Sequence, residues 1–143
     1  VPTEKKEFMD RFDCDDVGDV NEYVGCKIDQ KGNSIKFTHR VMLQSFDDEF
    51  ETTGKRPRTP AEAATVLTKS RNGSKVDSFR HTYFRTGVGK LLHMTRWSRP
   101  EIQNAVRELA RYGSAPCEAH VKAMHRVMEY CKATPKRGWN LKP

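Results

Sequence analysis

Phe8, Met9 and Phe12 recur on neighbouring turns of an otherwise polar opening, and that spacing predicts a short amphipathic helix over about the first dozen residues. Asp13 to Asp19 follows as an acidic loop closed by Gly18. Alternation then takes over, with Val24, Cys26 and Ile28 in one run and Ile35 and Phe37 in the next. The intervening Gln30-Lys31-Gly32-Asn33 supplies a Gly-Asn turn, so the pair predicts a β-hairpin. Val41, Leu43, Phe46 and Phe50 return to helical spacing and predict a second helix from about Arg40 to Glu51.

Residues 52–77 are polar and proline-bearing, which predicts an irregular connector with one helical turn after Thr59-Pro60, where Thr59 and Glu62 have capping-box spacing. From Ser78 to Thr95 the residues Phe84, Val88, Leu91, Leu92 and Thr95 share one helical face. Ser98-Arg99-Pro100-Glu101 has the form of a capping box with proline in the first turn, where its missing N–H costs nothing. Ile102, Ala105, Val106, Leu109 and Ala110 form the stripe behind it, ended by Gly113. Pro116 opens a third helix with Val121, Met124, Val127, Met128 and Cys131 inward, and Pro135 with Gly138 stops it. The expected architecture is α+β: a short β-hairpin with flanking helix, then a three-helix bundle. It divides along the chain into 1–53, 54–77 and 78–143, with no internal repeat.

Charge changes this picture more than length does. The 143 residues suit one domain or a piece of one, and no apolar stretch nears the ~18 residues of a membrane span. The opening lacks the basic, apolar and small-residue succession of a secretory signal. The net charge of +7 hides a split. Residues 1–53 hold 7 Lys/Arg against 13 Asp/Glu, a balance of −6, whereas 54–143 hold 19 against 6, a balance of +13. Such an excess attracts polyanions through release of their condensed counterions, so nucleic acid is the expected partner over a merely solvated basic face. The four cysteines (Cys14, Cys26, Cys117 and Cys131) form no CxxC pair and predict reduced thiols in a cytoplasmic or nuclear setting. Cys117 and His120 lie one helical turn apart, but a structural zinc site needs four ligands, and His125 and Cys131 face other directions.

The remaining chemical motifs are weak. Counted from Asp13, an EF-hand would need an oxygen ligand at Val17 and a bidentate Glu at Val24, and both are apolar. Gly87-Val88-Gly89 is followed three residues later by Leu92 and follows no strand, so it is no dinucleotide fingerprint. Two glycines in an apolar helical stripe imply that another helix or a nucleic-acid strand approaches the backbone there. No GxSxG elbow exists. Tyr23-Val24-Gly25 stands out, because an aromatic followed by Gly on a tight hairpin lets a ligand backbone come close; an ordinary half-buried strand is equally consistent.

Taken together these stretches resemble the reverse transcriptase of Ty1/copia-type retrotransposons, in the region downstream of the catalytic Tyr-x-Asp-Asp hairpin. The resemblance rests on Phe12 with Asp16-Val17-Gly18, on Tyr23-Val24-Gly25, on Thr59-Pro60 and on Phe84-Arg85-Thr86-Gly87-Val88-Gly89-Lys90-Leu91-Leu92. Arg99-Pro100-Glu101-Ile102, Pro116 with His120, and Glu129-Tyr130-Cys131-Lys132-Ala133-Thr134 complete it in order. It implies that Tyr23, Val24, Gly25 and Cys26 form a primer-grip hairpin and that the bundle is thumb-like and connecting. Lys90, Arg96 and Arg99 are the implied contacts to the nucleic-acid backbone, with Arg85 either a fourth or an interhelix pair. The implied partners are an RNA or DNA template-primer and the remainder of a polyprotein, with no membrane.

The chain also departs from the family. The aspartates that bind Mg²⁺ in the parent polymerase are not among these residues, so no cofactor, no metal site and no catalytic residue is expected in this chain, and it should not polymerise alone. The RNase H portion is absent, the family's Gln-x-x-Tyr is not evident around Thr38 to Met42, and Glu129 stands where the family has a basic residue. The competing expectation is a retroelement-derived structural or protein-interaction subunit docking on an acidic protein or ribonucleoprotein. A helix-turn-helix factor fits less well, since the turn between Leu92 and Pro100 is long and lacks glycine.

Overall fold

A computed structural model describes residues 2–69 and 74–142. Its elements are α1 (Pro2–Arg11), β1 (Glu22–Tyr23), β2 (Cys26–Lys31), β3 (Ser34–Thr38), α2 (Arg40–Glu49), α3 (Ser78–Trp97), a 3₁₀ turn (Pro100–Ile102), α4 (Gln103–Ala110), α5 (Glu118–Ala133) and β4 (Trp139–Leu141). This is an α+β protein, as the sequence predicts. The four strands form one antiparallel sheet in the order β1-β2-β3-β4.

The Gly32-Asn33 turn joins β2 to β3 in the expected register, with Lys31 opposite Ser34 and Ile28 opposite Phe37. The run before it is not one strand. Tyr23 pairs with Cys26, so Val24 and Gly25 are the two residues of a second tight turn, at φ of 52° and 73°. Positive φ at both central positions is the type I′ signature whose twist matches a hairpin. Val24 is β-branched and sterically disfavoured there, which is why the alternation of Val24 with Cys26 and Ile28 misplaces it in a strand.

One apolar cluster holds the rest together. Leu43, Phe46 and Phe50 of α2 and its end meet Phe84, Val88, Leu91 and Met94 of α3. Val106 and Leu109 of α4 join them, with Val121, Met124, Val127, Met128 and Cys131 of α5. Leu92, expected inside, is 45% exposed, and Met94 takes the inward place. The buried face of α3 is Phe84, Gly87, Val88, Leu91 and Met94, turned toward the side of Gly87 and away from Leu92. Ala110 likewise faces out.

The caps at the helix starts differ from those the sequence suggests. Asp77 caps α3, its Oδ1 accepting from Arg80 N–H at 2.7 Å. Ser98 caps nothing; its hydroxyl lies 2.5 Å from His39 Nδ1 instead. No helical turn follows Thr59, whose hydroxyl donates to Ala61 O at 2.7 Å. At α5 the reciprocal cap is built from Cys117 and His120. His120 Nδ1 accepts from Cys117 N–H at 3.0 Å while its Nε2–H donates to Thr68 O at 3.1 Å. Burial lowers the His120 pKa, in keeping with that neutral tautomer.

The described part of the connector before residue 70 is tied down at Thr53 and Leu67. Tyr112 Oη donates to Leu67 O at 2.5 Å, and its ring stacks on His120 with centroids 4.0 Å apart. Thr53 donates from both its N–H and its hydroxyl to Glu129 Oε1, at 2.7 and 2.5 Å. Glu129 is therefore a buried anchor for the connector.

Of the two helical glycines, Gly87 is the close approach. A methyl there would overlap Met124 Sδ and come within 2.9 Å of Met128 Cε and Phe50 Cε1, whereas at Gly89 it would meet nothing within 4 Å. Gly87→Ala should therefore lose up to about 2 kcal/mol, the ~1–3 kcal/mol of overpacking offset by ~1 kcal/mol of helix propensity. Gly89→Ala should gain up to ~1 kcal/mol. Urea unfolding of both variants checks the opposite signs.

Candidate nucleic-acid interface

The outward face of α3 follows from its inward one. Arg85, Gly89, Leu92 and Arg96 are all exposed, at spacings of four, three and four residues, so they stand in one row. At 1.5 Å per residue the row runs ~16 Å. Among the described residues neither Arg85 nor Arg96 is paired with a carboxylate. Between the two cations lie open space at Gly89 and an uncharged Leu92.

The β1–β2 turn docks beside the carboxyl half of this row. His93 Nε2–H donates to Val24 O at 3.0 Å, and Tyr23 meets Trp97 edge-on with centroids 6.0 Å apart. Tyr23 remains 57% exposed, and nothing lies within 4 Å of where a Gly25 Cβ would be. The tip is thus a solvent-facing aromatic and a bare backbone, seated on the helix that carries Arg96.

Beneath the tip is a buried polar pin. Cys26 Sγ lies 3.1 Å from His39 Nε2, and His39 Nδ1 lies 2.5 Å from Ser98 Oγ. Burial, then the neighbouring His93, lowers the His39 pKa to about 4, so the ring is neutral near pH 7. Burial also raises the Cys26 pKa, leaving a thiol. Sheet and bundle are joined through this imidazole.

The eight residues singled out in the sequence therefore part company. Tyr23, Val24, Gly25 and Arg96 share one part of the surface, with Arg85 at the far end of the same helix row. Cys26 belongs to the pin. Lys90 Nζ is engaged by Glu49 Oε1 at 2.6 Å and Ser45 Oγ at 3.0 Å, 5.7 Å from the Phe50 ring centre. Arg99 is 1% exposed, with its guanidinium spent inside the protein. Gly89, Leu92, His93 and Trp97 complete the face without having been singled out as contacts. Their signal was present in the row opposite the apolar stripe, which becomes visible only once the inward side is fixed.

Among the described residues no group of three or more His, Cys, Asp or Glu side chains could hold a metal ion. In the acidic loop Asp16 pairs with Lys5 and accepts from Gly18 N–H at 2.9 Å, and the hydrogen bond from Lys5 is the first cause of its lowered pKa. Among the described residues no helix is long and apolar enough to cross a membrane.

Comparison with known proteins finds sequence similarity to two retrotransposon polyproteins. The chain is 24% identical over 132 residues to the retrovirus-related Pol polyprotein from transposon RE1 of Arabidopsis thaliana, covering 92% of this chain and 9% of that protein. It is 33% identical over 90 residues to the retrovirus-related Pol polyprotein from transposon RE2 of the same plant, covering 63% of this chain and 6% of that one. A 55-residue stretch, 38% of this chain, is 31% identical to secreted RxLR effector protein 161 of Plasmopara viticola and covers 39% of it. No family model and no solved structure matches. The similarities to the two polyproteins, of which this chain spans less than a tenth, support an origin in a retrotransposon Pol polyprotein.

Proposed function

We propose that this chain holds the template and primer of a retrotransposon reverse transcriptase, through the β1–β2 tip and the outer row of α3. The observation that carries the reading is the row Arg85, Gly89, Leu92, Arg96 lying beside the tip formed by Tyr23, Val24 and Gly25. One strand of duplex carries a phosphate every ~3.4 Å of axis, so a ~16 Å row faces about five of them. The end arginines meet phosphate oxygens, and the uncharged, unfilled middle lets the strand lie close. Such contacts set the position of a duplex without reading its sequence. The balance of +13 over residues 54–143 adds long-range attraction. In this reading RNA-directed DNA synthesis belongs to the whole polyprotein, and this part grips.

Anisotropy titration of labelled DNA duplex and RNA–DNA hybrid tests it. Roughly three to five phosphate contacts should give a slope of about −3 to −4 in log affinity against log salt. Replacing Arg85 and Arg96 together by Gln should flatten the slope by about 2 and weaken all sequences alike. Absence of binding to either at low salt removes the proposal.

A further inference from the structure

A second basic site lies away from the α3 row. A cleft of about 1140 Å³ opens between the connector and the α4–α5 pair, and no α3 residue lines it. Leu67, Ala105, Leu109, Ala123 and Val127 give it an apolar wall. Lys55, Arg56, Lys122 and Arg126 give it four cations, none of which is paired with a carboxylate among the described residues. Of its three carboxylates, Glu108 is ion-paired with Arg111 at 2.9 Å, Glu129 accepts from Thr53 without a cation partner among the described residues, and Glu62 is the third. Arg126 is the telling residue. Its Nε is buried with no hydrogen-bond partner, and its Nη2 reaches Thr59 Oγ1 only at 3.4 Å. Nε–H and Nη2–H form the edge of a guanidinium that grips an oxyanion in two parallel bonds. A buried donor left unpaired on that edge is costly, and an oxyanion bonded to it would offset the cost.

We propose that this cleft binds an organic phosphate, with the phosphate on the Arg126 edge flanked by Lys122 and Arg56 and an apolar or planar body against the Leu67–Val127 wall. A nucleoside 5′-phosphate has this chemistry, either free or at the end of a strand. The several cations favour a doubly charged phosphate over a carboxylate, and the volume exceeds what a bare ion needs, since pockets for molecules of drug size run ~300–1,000 Å³.

Calorimetric titration of the 143-residue chain with AMP, adenosine and inorganic phosphate tests the proposal. AMP should bind, with adenosine and inorganic phosphate each at least ~10-fold weaker, because each keeps one half of the recognition. Arg126→Gln should weaken AMP ~10-fold or more, and the exposed Lys122→Gln roughly threefold with an unchanged circular dichroism spectrum. Competition by a 5′-phosphorylated oligonucleotide but not its 5′-hydroxyl twin assigns the strand end as the source, and failure of both to compete assigns free nucleotide; either supports the site. AMP binding that is absent, that ignores both substitutions, or that inorganic phosphate equals would overturn it. The Arg85 and Arg96 replacements should leave AMP binding unchanged, so this site and the α3 row fail separately.

Discussion

Replacing Arg99 by Met should lower the unfolding free energy by about 3–5 kcal/mol, the range for breaking a buried, hydrogen-bonded charge pair from one side. For a domain of ~5–15 kcal/mol this is a fifth or more of the total. Arg99 Nε donates to Glu101 Oε1 at 2.7 Å, and its Nη1 donates to the carbonyls of Cys131 and Thr134 at 3.3 and 3.2 Å. Nη2 donates to Thr134 Oγ1 at 2.6 Å, and the cation stands 5.5 Å from the Tyr130 ring centre. Those carbonyls are the open end of α5, where a positive charge opposes the negative pole of the helix. Met fills the volume and supplies none of these donors, and Lys, a single point donor, should recover only part. Urea unfolding midpoints measure the effect, with exposed Arg96→Met as a control expected within ~0.5 kcal/mol of the parent. A loss under ~1 kcal/mol at Arg99 would mean that the pairing is not holding α5.

Acidification should act through the pin between sheet and bundle. His39 titrates near 6.5 when unfolded and about 4 when folded, with burial the main cause and His93 the second. Its folded value is depressed, so the neutral ring's contribution is complete above pH 6.5 and is lost as pH falls from there through 4. The difference corresponds to about 3 kcal/mol between those limits. His120 and His125 are lowered too, chiefly by burial, and add in the same direction. Unfolding of the parent and of His39→Gln at pH 7 and pH 4.5 separates the terms, since the variant should show a markedly smaller acid loss. A His39 ring resonance that titrates near pH 6.5 in the folded protein would contradict the account.

What the sequence shows and hides follows from the reach of its signals. The helices were legible because apolar spacing and capping residues act within a few positions, as along Val121 to Cys131. The Gly32-Asn33 turn was legible for the same reason. Arg99 was not: beside Pro100 and Glu101 it reads as a surface cation, and only the arrival of α5, 32 residues on, shows it capped inside. Lys90 likewise looks free until α2 brings Glu49 from 41 residues away. Gly87 and Gly89 are indistinguishable locally, and packing against Met124 and Phe50 separates them. In the candidate interface, Tyr23-Val24-Gly25 was visible as a motif, whereas its seat on His93 and Trp97 depends on tertiary docking.

β4 had no local signature at all, since Trp139-Asn140-Leu141 acquires its meaning only from pairing with Ile35 to Phe37. That order matters during synthesis. The ribosome delivers β3 roughly 100 residues before the strand that covers its edge, a wait of about 5–20 s at ordinary elongation rates. Through that interval the nascent chain carries an unshielded ladder of N–H and C=O groups able to zip onto a neighbour on the same polysome.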